Sequence, residues 1–460
     1  MKKKLGFYSI VLLTINSIIG TGIFLSPGSV VAQSGDKALV VYLFAAIFST
    51  VLAVTFAAAA KYVSKGGAAY AYTKAAFGDN LGYYVGITRY VAACIAWGVM
   101  GTAVVKTVLK IFNLNNESLS NIAMGFLVLM FVLMVINLMG TKVFEIINNL
   151  STIGKVGALV TTIIVGFVMV FIMGENNFSA IKTITDESGQ ALGSNLDLTG
   201  WVMAIIAAFY AFTGFESVAS GSEDMEEPEK NLPRAIPLAI GIIALIYIGI
   251  VGIAMAINPQ ALVESKEVVA LADVFSNKII RNMIVIGALI SMFGINVAAS
   301  FHTPRILESM AKQDQVPHVF ARRTSNGFPI VSFLTTIAIA VVIPMAFKFD
   351  MTNIIIISSI SRFVQFVIVP IAIIMFYYGK EKGQVLENVK KNTLTDLIIP
   401  IIALGLTLVL LYQFNWKGQF TMTNENGDLV ANTFAIIAMV VGYIVLPFTL
   451  MAWKKLKNRG

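Results

Sequence analysis

The chain has 460 residues, 57% of them hydrophobic and 13% charged, with a mean hydropathy of +0.82 and a formal net charge of +8. Soluble domains carry about 25% charged residues, so a soluble globule is excluded. A single cysteine, Cys94, excludes an internal disulfide, and two histidines, His302 and His318, leave little for a His-ligated metal. No cofactor is expected.

Apolar runs of about 20 residues, the length that crosses a bilayer, recur along the whole chain. They predict an all-α polytopic membrane protein with about twelve spans, a single transmembrane domain over residues 1–460. The spans are placed at 7–31, 38–61, 83–110, 122–140, 149–174, 199–221, 236–257, 281–303, 330–348, 352–378, 396–414 and 433–453. The start, MKKKLGFYSIVLLTI, has the basic and apolar parts of a signal peptide, with a cleavage site near Ala32 as the alternative. Because its apolar run outlasts a signal core, it is read as an uncleaved first helix.

An even span count puts both termini on one side. With the termini in the cytoplasm, the inner segments hold 21 of the 33 basic residues and the outer ones 9, as the positive-inside rule requires for a cell-membrane protein. The net charge therefore reflects topology rather than a nucleic-acid surface. The longest outer connection, Glu175 to Asp197, is rich in Asn, Thr, Ser and Gly and is expected to form a solvated cap.

Two spans carry interruptions. In the first, NSIIGTGIFLSPG sets Gly20 and Gly22 around Thr21. In the sixth, FYAFTGFES sets Thr213 and Gly214 before Glu216 at membrane depth. Glycine in a helix interior costs about 1 kcal/mol relative to alanine. A lipid-facing backbone tolerates no unpaired N–H or C=O, so a real break must face protein or a watery cavity. Close helix packing through small residues is the simpler account of either site alone. Paired interruptions in spans one and six point instead to two five-helix repeats, 7–174 and 199–378, followed by two additional helices in 396–453.

Four motifs carry a resemblance: GTGIF in span one, GKVGAL in span five, FYAFTGFES…EPEKNLPRAI in span six, and TPRILESMAKQDQVP after span eight. Together they resemble the amino acid–polyamine–organocation transporters over essentially the whole chain. Features are similar to both the bacterial cationic-type amino acid transporters and the arginine/agmatine antiporter. The resemblance implies a leucine-transporter-like 5+5 inverted repeat and a central amino acid site. It places the substrate carboxylate near Thr21 and the Gly22 amide, and the ammonium near the carbonyls of Ile18, Tyr210 and Thr213. Phe212 and Phe215 flank the second break, either as rings closing over substrate or as ordinary packing. Ala96, Trp97, Asn296 and Ser359 are the candidates for the side-chain pocket.

Ionisable groups at membrane depth are functional candidates by default. These are Arg89, Lys155, Glu216 and Arg362. The resemblance puts the Lys155 ammonium where sodium-coupled relatives bind a sodium ion, which implies sodium independence; snorkelling to the interface is the alternative. Glu216 is either a pH-responsive carboxyl or a permanent acceptor for an arginine. For Arg89 and Arg362 a structural pairing is preferred over substrate contact. The acidic run Glu223, Asp224, Glu226, Glu227 and Glu229 suggests salt-bridged gating with the basic loop Arg305 to Arg323.

The expected activity is that of a permease moving an amino acid by alternating access, through proton symport or exchange. A neutral substrate is favoured because Glu216 alone offers a partner to a cationic side chain. A cationic amino acid or amine antiporter is the alternative, and an amino-acid-binding channel or sensor is the reading from another class. An enzyme is not expected, since no nucleophile–base pair, ligand set or phosphate loop stands out. The partners are an amino acid, membrane lipid and, if coupled, the proton; no nucleic acid is expected, and a monomer or homodimer is left open.

Overall fold

The computed structural model describes residues 4–457 apart from 21, 186–188, 195, 266–268, 347–350, 384, 388, 415 and 424–427. It is a helical bundle. The chain opens with α1 (Phe7–Ile18) and α2 (Gly22–Ser34), followed by α3 (Ala38–Tyr62), α4 (Ala69–Phe77) and α5 (Asp79–Ile111). Next come α6 (Leu119–Leu138) and α7 (Thr141–Phe167), the latter extended by a π-helical turn at Val168–Ile172. The second half begins with α8 (Leu198–Tyr210), the one-turn α9 (Phe215–Val218) and a 3-10 segment, Ala219–Asp224. It continues through α10 (Pro228–Ile257), α11 (Pro259–Glu264), α12 (Ala270–Asp273), α13 (Lys278–Lys312), α14 (Ile330–Ala346) and α15 (Met351–Tyr377). The C-terminal part holds α16 (Ile399–Gln413), α17 (Trp416–Gln419), a hairpin of β1 (Thr421–Thr423) with β2 (Leu429–Ala431), α18 (Thr433–Val440) and α19 (Leu446–Lys457).

Among the described residues, seven helical segments are long and apolar enough to cross a bilayer, or eight if the bent pair of α8 with Phe215–Asp224 counts as one span. Shorter apolar helices, including Phe7–Ile18 and Ile330–Met345, accompany them. The protein is therefore an integral, polytopic helical membrane protein.

Burial separates a central set of helices from a peripheral one. In α13, 72% of the apolar window is inside the bundle, against 33% in α6 and 28% in the span built on α16. Leu127, Phe131, Leu245, Leu406 and Val409 instead point outward, as lipid-facing side chains do. The tightest helix pairs include α3 with α10 and α13 with both α5 and α7.

Several predicted spans start too late. The helix expected from residue 149 begins at Thr141, and the one expected from 236 begins at Pro228. Hydropathy marks the lipid-crossing part of a helix, whereas backbone hydrogen bonding carries α7 and α10 on past the interface. Pro228 sits at the first turn of α10, where its missing N–H costs nothing. The connection 62–82, between two predicted spans, contains α4, held by Tyr70 and Tyr72, both fully buried. The cap at Glu175 to Asp197 contains a 3-10 segment, Phe178–Thr183, and an isolated bridge between Thr185 and Ala191.

Candidate functional site

Both predicted interruptions are real breaks. Helix α1 ends at Ile18, and α2 restarts at Gly22. The Ile19 N–H still reaches back to the Ile15 carbonyl at 2.9 Å, so the carbonyls beyond Ile15 are released from the helix ladder. At its other side, α2 begins with N–H groups that have no intrahelical acceptor. In the second break, α8 stops at Tyr210 and the chain turns by 42° into the segment from Phe215. The turn is closed by Thr213, whose hydroxyl and N–H both donate to the Tyr210 carbonyl, at 2.8 Å and 3.3 Å.

The two breaks pack on each other, and glycine makes this possible. Gly214 has φ +128°, and a Cβ there would overlap the Ser17 carbonyl oxygen. Gly22 lies so close to α8 that a Cβ would sit 2.9 Å from the Cα of Ala211. Only a residue without Cβ permits both approaches.

A cavity lies between the breaks, with about 60 Å³ open to the centres of water-sized molecules. Its wall includes Ile18, Gly20 and Gly22 from the first break and Tyr210, Thr213 and Gly214 from the second. Helix α5 contributes Arg89, Ala93, Ala96 and Met100, α13 contributes Ile295, His302 and Thr303, and α15 contributes Arg362. Thr21 lies outside the described residues, as does the side chain of Ser359.

Several expected residues stand elsewhere. Phe212 is fully buried against Tyr247, with ring centroids 4.9 Å apart, and Phe215 stacks on Phe366 at 6.2 Å. Neither ring is in the cavity wall. Trp97 packs on Phe333, and Asn296 donates to the Met292 carbonyl on its own helix at 2.8 Å. Both miss the cavity by one position, since their neighbours Ala96 and Ile295 are the ones that face it. One residue along a helix is a turn of about 100°, enough to exchange cavity for packing. The α5 residues that do line it run at 89, 93, 96 and 100, one helical stripe. His302, seven residues beyond Ile295, shares that residue's face in the same way; Ser17 and Ser217 complete the polar wall.

Lys155 is fully buried beside the first break rather than extended to the interface. Its ammonium donates to the carbonyls of Ile19 (2.5 Å), Ser291 (3.2 Å) and Asn16 (3.4 Å). Three donors meet three acceptors, which satisfies the group. The Ser291 hydroxyl adds a bond to the Ile19 carbonyl at 3.1 Å, so α7 and α13 together hold the released end of α1.

Glu216 is also buried, and it is paired. Arg362 Nε donates to Oε1 at 3.1 Å, Arg89 Nη2 lies 3.8 Å from the same oxygen, and the Gly214 N–H donates to Oε2 at 2.7 Å. The carboxylate thus ties α5 and α15 to the second break. Arg89 also donates to the Ser217 hydroxyl.

A second charged cluster lies at the end of the bundle that carries the N-terminal segment. Asp224 accepts from Arg305 Nε at 2.7 Å and Arg323 Nη1 at 2.9 Å. Glu308 accepts from Arg323 and from Lys312, and Lys312 also pairs with Glu223. Glu227 is outside this network and pairs with Lys230, three residues away. Backbone bonds reinforce the cluster: Leu5 N–H donates to the Asp224 carbonyl, and Gly67 N–H to the Ser220 carbonyl. Burial alone would lower the Arg323 pKa, but hydrogen bonds to Glu308 and the charge of Asp224 raise it instead.

Interrupted helices that face each other across a cavity inside a lipid-embedded bundle define the class: a polytopic membrane protein with a cavity at its helix breaks. The chain belongs to the amino acid permease family, whose profile matches residues 9–459, within the amino acid–polyamine–organocation superfamily. It is 38% identical over 457 residues to an uncharacterised transporter of Mycobacterium tuberculosis, covering 96% of this chain and 93% of the relative. It is 30% identical over 357 residues to the serine/threonine exchanger SteT of Bacillus subtilis, covering 75% and 76% of the two chains. It is 24% identical to the putrescine transporter PotE of Haemophilus influenzae, covering 73% and 75%.

Proposed function

We propose that this permease carries an amino acid across the cell membrane by alternating access, without sodium. On this reading the helices form twelve spans. The pair α1–α2 and the pair α8–α9 are the broken first helices of two inverted repeats, 7–174 and 199–378, and residues 396–453 supply two further spans. Both termini lie in the cytoplasm, in keeping with the basic residues there.

The observation that carries the proposal is the meeting of the two breaks at one cavity. A zwitterion fits their complementary ends. The α-carboxylate takes the free N–H groups and positive dipole end at Gly22, and the ammonium takes the released carbonyl of Ile18. Discontinuous helices used in this way are a known feature of leucine-transporter-like carriers. Lys155 supports sodium independence, because its ammonium already fills a nest of three carbonyls that would otherwise attract a cation.

The substrate has no cationic side chain. Glu216, the one carboxylate next to the cavity among the described residues, already has two arginines, so a lysine-like or diamine substrate would meet excess positive charge. Kinship with a serine/threonine exchanger supports a small substrate and an exchange mode, with proton symport as the other form of coupling. The Asp224–Arg305–Arg323 cluster then closes the cytoplasmic side of the site.

Counterflow in proteoliposomes tests this reading. Vesicles loaded with unlabelled substrate should accelerate uptake of the labelled form in sodium-free buffer. Uptake that shows no acceleration by internal substrate would exclude a carrier and favour a channel or a binding-only protein.

A further inference from the structure

We infer that the cavity accepts amino acids whose side chain ends in a carboxylate, aspartate or glutamate, and that Arg89 selects them. The inference rests on the carrier reading above and adds the substrate class.

Among its described residues the cavity wall contains two guanidinium groups, Arg89 and Arg362, and no carboxylate. Glu216 stands behind both, and its two oxygens are already engaged by Arg362, Arg89 and the Gly214 N–H. Two cations therefore share one anion, leaving a positive charge in excess beside the cavity.

The excess falls on Arg89. Arg362 is occupied on two sides, by Glu216 and by the ring of Tyr210, whose centroid is 5.8 Å from its guanidinium carbon. Arg89 is only 4% exposed, and its Nη2 is taken by Ser217. Its Nη1 is buried and has no hydrogen-bond partner among the described residues. A buried guanidinium donor without an acceptor loses a hydrogen bond, and a carboxylate shared with Arg362 compensates the Arg89 charge only in part. A ligand carboxylate supplies both at once, and the arginine fork is the side chain whose geometry suits a carboxylate.

The rest of the wall fits the same ligand. With the amino acid head held at the helix breaks, its side chain is left to the α5 stripe, where Ala93 and Ala96 leave room beside Arg89. The cavity is small, which suits the short chains of aspartate and glutamate better than a bulky aromatic group. The Thr303 hydroxyl and Ser217 are further hydrogen-bonding groups in the wall.

The test uses the purified full-length protein in proteoliposomes, in chloride-free gluconate buffer, with labelled L-aspartate, L-glutamate and L-serine. Wild type is expected to exchange at least one acidic amino acid. Arg89→Gln should raise the KM for that substrate by about tenfold more than it changes the KM for serine, and Arg89→Lys should recover part of the difference. If Arg89→Gln fails to fold, the wild-type Tm decides: aspartate or glutamate should raise it in detergent without chloride. Exchange of serine with no exchange or competition by either acid overturns the inference and leaves the carrier reading intact. Absence of exchange for any amino acid overturns both. Equal loss for acidic and neutral substrates in Arg89→Gln assigns the residue a structural role only. A Tm raised by chloride alone assigns the spare donor to an inorganic anion. Either of these last two results also overturns the inference.

Discussion

The ammonium of Lys155 donates to the carbonyl of Ile19 at 2.5 Å, at the point where the first membrane helix stops. A side chain from the fifth predicted span thereby holds open a break in the first. Lys155→Ala would take one donor from each of the carbonyls of Asn16, Ile19 and Ser291 in the bundle interior, leaving Ile19 only the Ser291 hydroxyl. Each unmade bond costs on the order of 1–3 kcal/mol, so exchange should fall by about tenfold or more and the Tm should drop. Wild-type exchange and Tm in this variant would show that the carbonyls find other donors.

The same lysine makes a prediction about ions. Initial exchange rates should be equal in sodium and choline buffers of matched ionic strength. A strict sodium requirement would mean that the three-carbonyl nest is not what occupies the cation position.

Gly214 is predicted to be irreplaceable. Alanine there meets two obstacles, a φ of +128° and the Ser17 carbonyl, so Gly214→Ala should prevent the breaks from packing and abolish transport. Gly241 in α10 is the control. A Cβ there meets nothing within 4 Å, so Gly241→Ala should be neutral or stabilising by up to about 1 kcal/mol. Counterflow and thermal unfolding read both variants.

The charged cluster should govern access from the cytoplasm. Neutralising Glu223 with Asp224 leaves Arg305, Lys312 and Arg323 short of partners and should favour the inward-open form. Alkylation of a cysteine placed in the cavity, applied from the cytoplasmic side, should then speed up. Glu227→Gln should change nothing, because that residue pairs only with Lys230 among the described residues. Unchanged alkylation in the double variant would show that the cluster holds shape without gating.

A buried carboxylate pins the start of the α16 span to α3. Asp396, fully buried, accepts from Lys61 at 2.5 Å and from the Tyr62 hydroxyl at 2.9 Å. Removing one member of a buried pair costs about 3–5 kcal/mol, so Asp396→Ala should lower the Tm sharply while Asp396→Asn lowers it less. Equal Tm values for both variants and wild type would contradict this.

Much of the fold was legible because a membrane imposes simple rules. Apolar runs of bilayer length along the whole chain marked the helical membrane class, and the Thr-Gly pairs marked both breaks. Lys155 and Glu216 stood out because ionised groups at membrane depth need partners. The identity of those partners was less visible: that Arg89 and Arg362 converge on Glu216 depends on how α5 and α15 cross the second break, which no local pattern encodes. Trp97 and Asn296 show the other limit. They stood next to the right positions, but the facing side of a helix buried all round has no polar edge to mark it. For Phe212 and Phe215, beside the second break, closure over substrate and ordinary packing were both open from sequence, and their rings turn into the packing between helices. His302 shares the cavity-facing side of Ile295, but a lone histidine near the end of a span carries no mark of that in the sequence.

The central claim is that peptide groups released at two facing helix breaks hold the head of an amino acid. Determining the structure with an exchanged amino acid bound tests it most directly. The bound α-carboxylate is expected within hydrogen-bonding distance of the Gly22 N–H, and the ammonium on the carbonyl of Ile18. A substrate bound away from both breaks, or an unbroken helix through residues 18–22 in the bound state, would contradict it.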